Sequence, residues 1–271
     1  MRRTVRPVPA DAYDEDYYLT CCAGSAEWDR QGGMSPMYDG YAARAAIRSG
    51  EVVVDVGTGR AEMLVAARRA GASLAVGLEY SAAALRLAGT TLAAATEGEA
   101  AVDGGCAAVA ADGGRVPLRG GFADLVTFLD VVEHLTPAQL DASLAEAVRV
   151  LRPGGRVLIH TFPTRTLYEV TYRLQRLAVP GRRRRWPADP RNDAERAMHV
   201  NEQTLGGLRS ALRRAGFEQV TVRPGEWLHT AHLPDGEGAA LYGRLARFGP
   251  TARYGVADLW ATGRRPPSTL S

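Results

Sequence analysis

Apolar positions in this chain follow two alternating rhythms. Short runs of small and β-branched residues read as buried strands: Glu51–Val56, Leu74–Leu78, Ala107–Ala111, Asp124–Leu129 and Arg156–Thr161. Between them lie stretches with helical spacing. One covers Ala61–Ala70 and is closed by Gly71; a second covers Ser81–Ala95 with Ser81 as its N-cap. A third covers Pro137–Leu151, with Thr136 as N-cap and Arg152-Pro-Gly-Gly155 as terminator. Strands alternating with helices at this spacing imply a parallel sheet covered on both faces. After Pro163 the alternation pauses. The pattern there predicts a helix over 167–177, a loop over VPGRRRRWPADPRND and a helix over 202–215. A sixth strand over 219–223, a helix over 239–248 and a seventh strand over 254–263 complete the chain. Upstream, 37–49 reads as an amphipathic helix, and Tyr13, Tyr17 and Cys21 would share one helix face. Residues 1–10 and the final RRPPSTLS read as tails, and no internal repeat is present.

The chemistry concentrates in Val53-Val-Asp-Val-Gly-Thr-Gly-Arg-Ala-Glu62. A strand running into glycines and then a helix lets a ligand approach the backbone and the helix N-terminus. A dinucleotide fingerprint needs glycine at the sixth position of its motif, where this chain has Glu62. A carboxylate there opposes an anionic pyrophosphate. Asp55, just ahead of the glycines, suits a ligand with positive charge near the loop, such as the ammonium and sulfonium of S-adenosylmethionine.

Residues 51–163 resemble a class I, Rossmann-like S-adenosylmethionine-dependent methyltransferase of the broad type 11 small-molecule group. The acid and G-x-G-x-G pattern of that family appears as Asp55-Val-Gly57-Thr58-Gly59-Arg-Ala61, with alanine for the third glycine. Four further family elements follow in order: Glu79-Tyr80 ending strand two, Asp112-Gly113 after strand three, Asp130-Val131 with Glu133-His134 after strand four, and the Arg152–Gly155 turn. The resemblance implies that Glu79 accepts the ribose hydroxyls and that Asp112 faces the adenine amino group. It implies a cofactor-binding set of Asp55, Gly57, Thr58, Gly59, Glu79, Tyr80, Asp112, Gly113, Asp130 and Val131, with Tyr17 from a lid. It also implies an α/β fold: a Rossmann-like, seven-stranded, mostly parallel sheet with helices on both faces. An N-terminal lid would occupy 1–50, the S-adenosylmethionine core 51–163, an inserted acceptor region 164–215, and the end of the sheet 216–265. Each motif also has a structural reading: the glycines as a plain turn, Glu79 and Asp112 as helix-start acids, Asp130 as a cap.

Composition removes options. All 33 basic residues are arginine, so no lysine can act as base or Schiff base. The three cysteines, two adjacent, suit neither a disulfide framework nor a zinc site and fit a reducing, cytoplasmic setting. No apolar run is long enough for a membrane span. An O–H or N–H acceptor must lose a proton, and the base candidates are His134 and His199, ahead of His160. Taken singly, each histidine reads more readily as a structural or surface residue than as a base. No His/Asp/Glu group shows local ligand spacing, so the reaction is expected to need no metal. The acceptor is expected to be a small, antibiotic-like metabolite methylated on O or N. A homodimer is compatible with this reading. Arg182–Arg185 raises an RNA methyltransferase as an alternative, but a net charge of +3 and nearby acids favour a solvated loop. A non-catalytic protein of the same fold is the remaining alternative.

Overall fold

The computed structural model describes residues 6–30, 33–97, 105–228, 233, 236 and 238–268. His229 and His232 lie outside them. A seven-stranded sheet runs in the order β3-β2-β1-β4-β5-β7-β6. Its strands are β1 (Val52–Val56), β2 (Leu74–Glu79), β3 (Cys106–Ala110), β4 (Ala123–Leu129), β5 (Leu151–Thr161), β6 (Glu218–Pro224) and β7 (Leu259–Arg264). Pairings from β3 through β5 are parallel, and β7 is antiparallel to both β5 and β6. The strand order reverses between β1 and β4, where open α/β sheets bind ligands.

Alternation along the buried strands feeds two cores. Val54, Val126, Phe128, Val157 and Ile159 face α4 (Pro137–Val150) and α8 (Leu205–Arg214), meeting Leu144, Leu208 and Leu212. Val53, Leu125 and Leu158 face the other side, meeting Tyr41 of α1 (Met37–Arg44) and Leu64 of α2 (Glu62–Arg69). A third helix, α3 (Ala82–Ala94), starts where the Ser81 hydroxyl accepts the Ala84 N–H. Thr136 and Gln139 form a capping box at the start of α4.

Several expected boundaries move. β5 begins at Leu151, because Leu151 already pairs with Ala123; the ladder breaks at a bulge around the Pro-Gly-Gly and resumes at Arg156. The helix expected over 167–177 is a π-helical turn, Leu167–Tyr172, continued by α5 (Arg173–Ala178). The expected arginine loop holds a helical turn, α6 (Arg182–Arg185), in which Arg182 is buried and stacks on Trp186 at 4.4 Å. A short helix not expected from the sequence, α7 (Asp193–Met198), follows, started by an Asn192–Glu195 capping box. The seventh strand starts later than expected. The stretch around Tyr254 is instead a helical turn, α10 (Ala252–Gly255), packed behind α9 (Ala239–Arg247). Among the described residues, no helix is long and apolar enough to cross a membrane.

Candidate functional site

At the carboxyl end of β1 the chain turns through Gly57-Thr58-Gly59-Arg60-Ala61. The Gly57 and Thr58 N–H groups donate to the Leu78 carbonyl at 2.8 and 3.1 Å, so the loop is laced to β2. Gly57 has φ +72°, and a Cβ there would sit 2.5 Å from Val131 Cγ2. That contact is a reason for glycine at this position. Ala61 adopts φ +65°, a left-handed conformation that the family's third glycine would take without cost. Glu62, one residue on, is buried and pairs with buried Arg60 at 2.7 Å. It thus belongs to the packing behind the loop.

Glu79 closes the loop from the β2 side. Its Oε2 accepts the Gly59 N–H at 3.0 Å, and its Oε1 accepts the Tyr80 and Ser81 N–H groups at 2.9 Å each. Burial pushes its carboxyl upward, and these three donors pull it back toward ionisation. Asp55 is also buried. Its Oδ1 accepts the Thr127 hydroxyl at 2.6 Å, and burial raises its pKa to about 6 against the pull of the Thr127 and Thr58 hydroxyls.

Across the crevice, Asp130 takes φ +55° at the end of β4. Its Oδ1 lies 2.7 Å from His160 Nδ1, and its Oδ2 accepts the Tyr41 hydroxyl at 3.4 Å. The other ring nitrogen of His160 is 3.2 Å from Asp258 Oδ2. Burial alone would lower the His160 pKa, but Asp130 and Asp258 together raise it to about 10. The ring is therefore an imidazolium at neutral pH, with no lone pair to take a proton. His160, expected as a third base candidate, is fully buried in β5 and lines neither of the two cavities described next; it positions Asp130 instead.

These elements enclose a cavity of about 100 Å³ that Asp55, Gly57, Thr58, Gly59, Glu79, Tyr80, Asp130 and Val131 line together. With Tyr17, which lines it too, nine of the eleven residues expected around a cofactor converge. Asp112 and Gly113 do not: Asp112 is exposed, outside this wall, with its Oδ1 accepting the Gly114 N–H at 2.8 Å.

The roof of the cavity is the N-terminal segment. Tyr13, Tyr17 and Tyr18 line it, but Tyr13 stands outside the π-helical turn Tyr17–Cys21, so the expected common helix face is not formed. The Tyr13 carbonyl accepts the Ser81 hydroxyl at 2.7 Å. Arg60 holds the same segment from behind, donating to the carbonyls of Tyr18 and Ala23. At about 100 Å³ the cavity falls below the ~300–1,000 Å³ of usual small-molecule pockets, so a nucleoside-sized ligand requires these tyrosines to swing aside.

A larger cavity of about 620 Å³ adjoins the first. Tyr17, Cys22, Ala23, Asp130 and His134 belong to the walls of both. Its far side is built by Phe162, Trp227 and, around α7, residues 192–195, Met198 and His199. His134 and His199 meet here with ring centroids 4.8 Å apart, and Tyr13 Oη lies 3.1 Å from His134 Nδ1. Burial and the neighbouring His199 lower the His134 pKa to about 3, well below the value near 6.5 expected of a base. Glu133, to which the sequence motif assigns no role, is buried against this cavity with its Oε2 accepting the Thr161 hydroxyl at 2.8 Å. Burial and the charge of Asp130 raise it to about 8.

Comparison with known proteins places these observations. A family model described as a methyltransferase domain matches residues 31–222. No curated protein matches the chain. Among solved structures, the [4+2]-cyclase SpnF superposes over 97% of this chain and 98% of its own, at 17% identity and TM-score 0.61. An S-adenosylmethionine-dependent methyltransferase from Mesorhizobium loti shares 23% identity over 84% of this chain and 98% of its own, with TM-score 0.54. The geranyl diphosphate C-methyltransferase of Streptomyces coelicolor, in complex with Mg2+, geranyl diphosphate and S-adenosyl-L-homocysteine, shares 15% identity, with TM-score 0.55. It covers 84% of this chain and 77% of its own.

Proposed function

Because the chain belongs to the class I S-adenosylmethionine-dependent methyltransferases, with S-adenosylmethionine as methyl donor, we propose that it methylates an oxygen or nitrogen of a small molecule seated in the larger cavity. The observation that carries this reading is the common wall of the two cavities at Tyr17, Asp130 and His134. A donor held by the Gly57–Gly59 loop and Glu79 faces directly into the second space. Three main-chain donors leave Glu79 one lone pair, on Oε2, and with it Glu79 accepts a ribose hydroxyl. Asp55 and Asp130 give the crevice the negative charge that the ammonium and sulfonium groups require.

The sulfonium methyl is already activated, so the protein's main task is alignment. Positioning of this kind contributes up to ~7–11 kcal/mol. Phe162, Tyr17 and Trp227 offer flat apolar surface to an acceptor ring, and Asp193 and Glu195 stand at the polar side. A specialised metabolite is the acceptor class we favour; fold neighbours that include a [4+2]-cyclase and a geranyl diphosphate C-methyltransferase support it. Fold alone does not choose the reaction, as the cyclase illustrates. Against an RNA acceptor, Arg182 lies buried against Trp186, which removes it from any phosphate-binding face.

The test is transfer of label from methyl-labelled S-adenosylmethionine to a panel of phenolic and amine metabolites. It is run with wild type and with Ala194→Trp, which fills the larger cavity. Acceptor-dependent label in wild type, lost in Ala194→Trp with S-adenosylhomocysteine affinity retained, is the expected result. Equal transfer by both proteins would place the acceptor elsewhere.

A further inference from the structure

Glu133, His134 and His199 come together although 65 positions of sequence separate the two histidines. Glu133 and His134 sit on the turn after β4, and His199 caps the end of α7. The two segments are tied by the Asn201 N–H donating to the Glu133 carbonyl at 2.9 Å. One donor atom from each of the three side chains lies within 4.8 Å of the others. All three line the larger cavity, together with the carboxylate of Asp130.

Two imidazole nitrogens and one carboxylate oxygen on one side of an open space are a ligand set for a first-row transition metal. Magnesium and calcium prefer all-oxygen shells. Metal bonds of ~2.0–2.2 Å would hold the donor atoms ~3–3.5 Å apart. The donor atoms, within 4.8 Å of one another, stand slightly wider than that spacing, and ion binding would draw them together. The supporting contacts expected around such ligands are present. Thr161 donates to Glu133 Oε2 at 2.8 Å, and a hydrogen bond to the Met198 main chain holds the His134 ring. Ligation through His134 Nδ1 would displace the Tyr13 hydroxyl, now 3.1 Å away, and so would link the site to the lid.

We propose that Glu133, His134 and His199 form a site for one divalent transition-metal ion whose open positions face the acceptor cavity. There it takes a hydroxyl or carboxylate oxygen of the acceptor. This reverses the expectation of a metal-free reaction, which rested on local ligand spacing. Only the acceptor-oxygen role rests on the methyl-transfer reading; the ion binds without it.

The test is titration of chelator-treated full-length protein with Mn2+ and, separately, Zn2+. Binding is followed by calorimetry and, for Mn2+, by loss of the free-ion EPR signal. One ion per chain is expected. Glu133→Gln and His199→Gln should each weaken binding at least tenfold while S-adenosylhomocysteine affinity stays at the wild-type value, which shows the variants are folded. A Cys21→Ser/Cys22→Ser variant should bind as wild type. Absence of saturable binding of both ions, or unchanged affinity in both ligand variants, overturns the proposal. Metal binding without any S-adenosylhomocysteine binding to wild type would leave this site standing and remove the donor reading instead.

Discussion

The Asp130 carboxylate lies 2.7 Å from His160 Nδ1, and this pair joins the donor crevice to the interior of the sheet. Asp130 is half-buried and lines both cavities; His160 is fully buried and is held from behind by Asp258 at 3.2 Å. Two carboxylates share one imidazolium, so the ring's proton is structural. With the folded pKa raised to about 10 and the unfolded value near 6.5, the native state holds the proton more tightly. The resulting stabilisation is complete below about pH 6.5 and is lost as pH rises through about 10. Denaturant unfolding from pH 6 to 10.5 should therefore show wild type losing stability across that window. His160→Gln should be destabilised at pH 7 by roughly 3–5 kcal/mol, as expected when a buried pair loses one partner, and should show a flatter alkaline profile.

The Gly57–Val131 contact predicts a loss of cofactor binding without loss of the fold. Gly57→Ala adds a methyl 2.5 Å from Val131 Cγ2 in a backbone with φ +72°. The loop must shift away from Val131, and S-adenosylhomocysteine affinity should fall at least tenfold. Gly59→Ala should cost less, because its new methyl meets Tyr18 at an ordinary 3.4 Å and carries only the strain of φ +54°. Calorimetric titration of the two variants checks the ranking.

The lid depends on a buried ion pair. Arg60 and Glu62 are each about 1% exposed at the side chain, and Arg60 also holds the Tyr18 and Ala23 carbonyls. Arg60→Met leaves Glu62 charged and buried, and should destabilise the protein by roughly 3–5 kcal/mol. Arg60→Met/Glu62→Gln should recover part of that loss in urea unfolding, since the stranded charge is removed. Both variants should show faster proteolysis within residues 13–23, where the arginine's carbonyl partners lie.

The legible part of the molecule was the part governed by local rules. β1, β2 and β4 stand out as buried apolar runs, and Ser81 and Thr136 mark their helices because an N-cap acts within four residues. The glycine loop, Glu79 and Asp130 converge as motif order implied, since the parallel sheet fixes where each strand ends. What stayed hidden depends on long-range contact. Nothing local marks His160 as an imidazolium; its state comes from Asp130 and from Asp258, the latter 98 positions away. Asp112 was assigned by motif position, yet its carboxylate turns back to Gly114. The net charge of +3 and the acids nearby point to a solvated arginine loop, but the burial of Arg182 against Trp186 is set by the fold. The Glu133, His134 and His199 cluster escaped a search for ligand spacing because the chain supplies its members from two separate segments.

On the proposed function, the crevice between β1, β2 and β4 binds S-adenosylmethionine through Glu79. The most direct measurement is calorimetric titration of S-adenosylhomocysteine into wild type and Glu79→Ala. Loss of a charged acceptor costs roughly 1.5–3 kcal/mol per hydrogen bond. Saturable one-to-one binding in wild type, weakened at least tenfold in a folded Glu79→Ala, is the predicted result. No binding to wild type, or equal affinity in the two proteins, would contradict it.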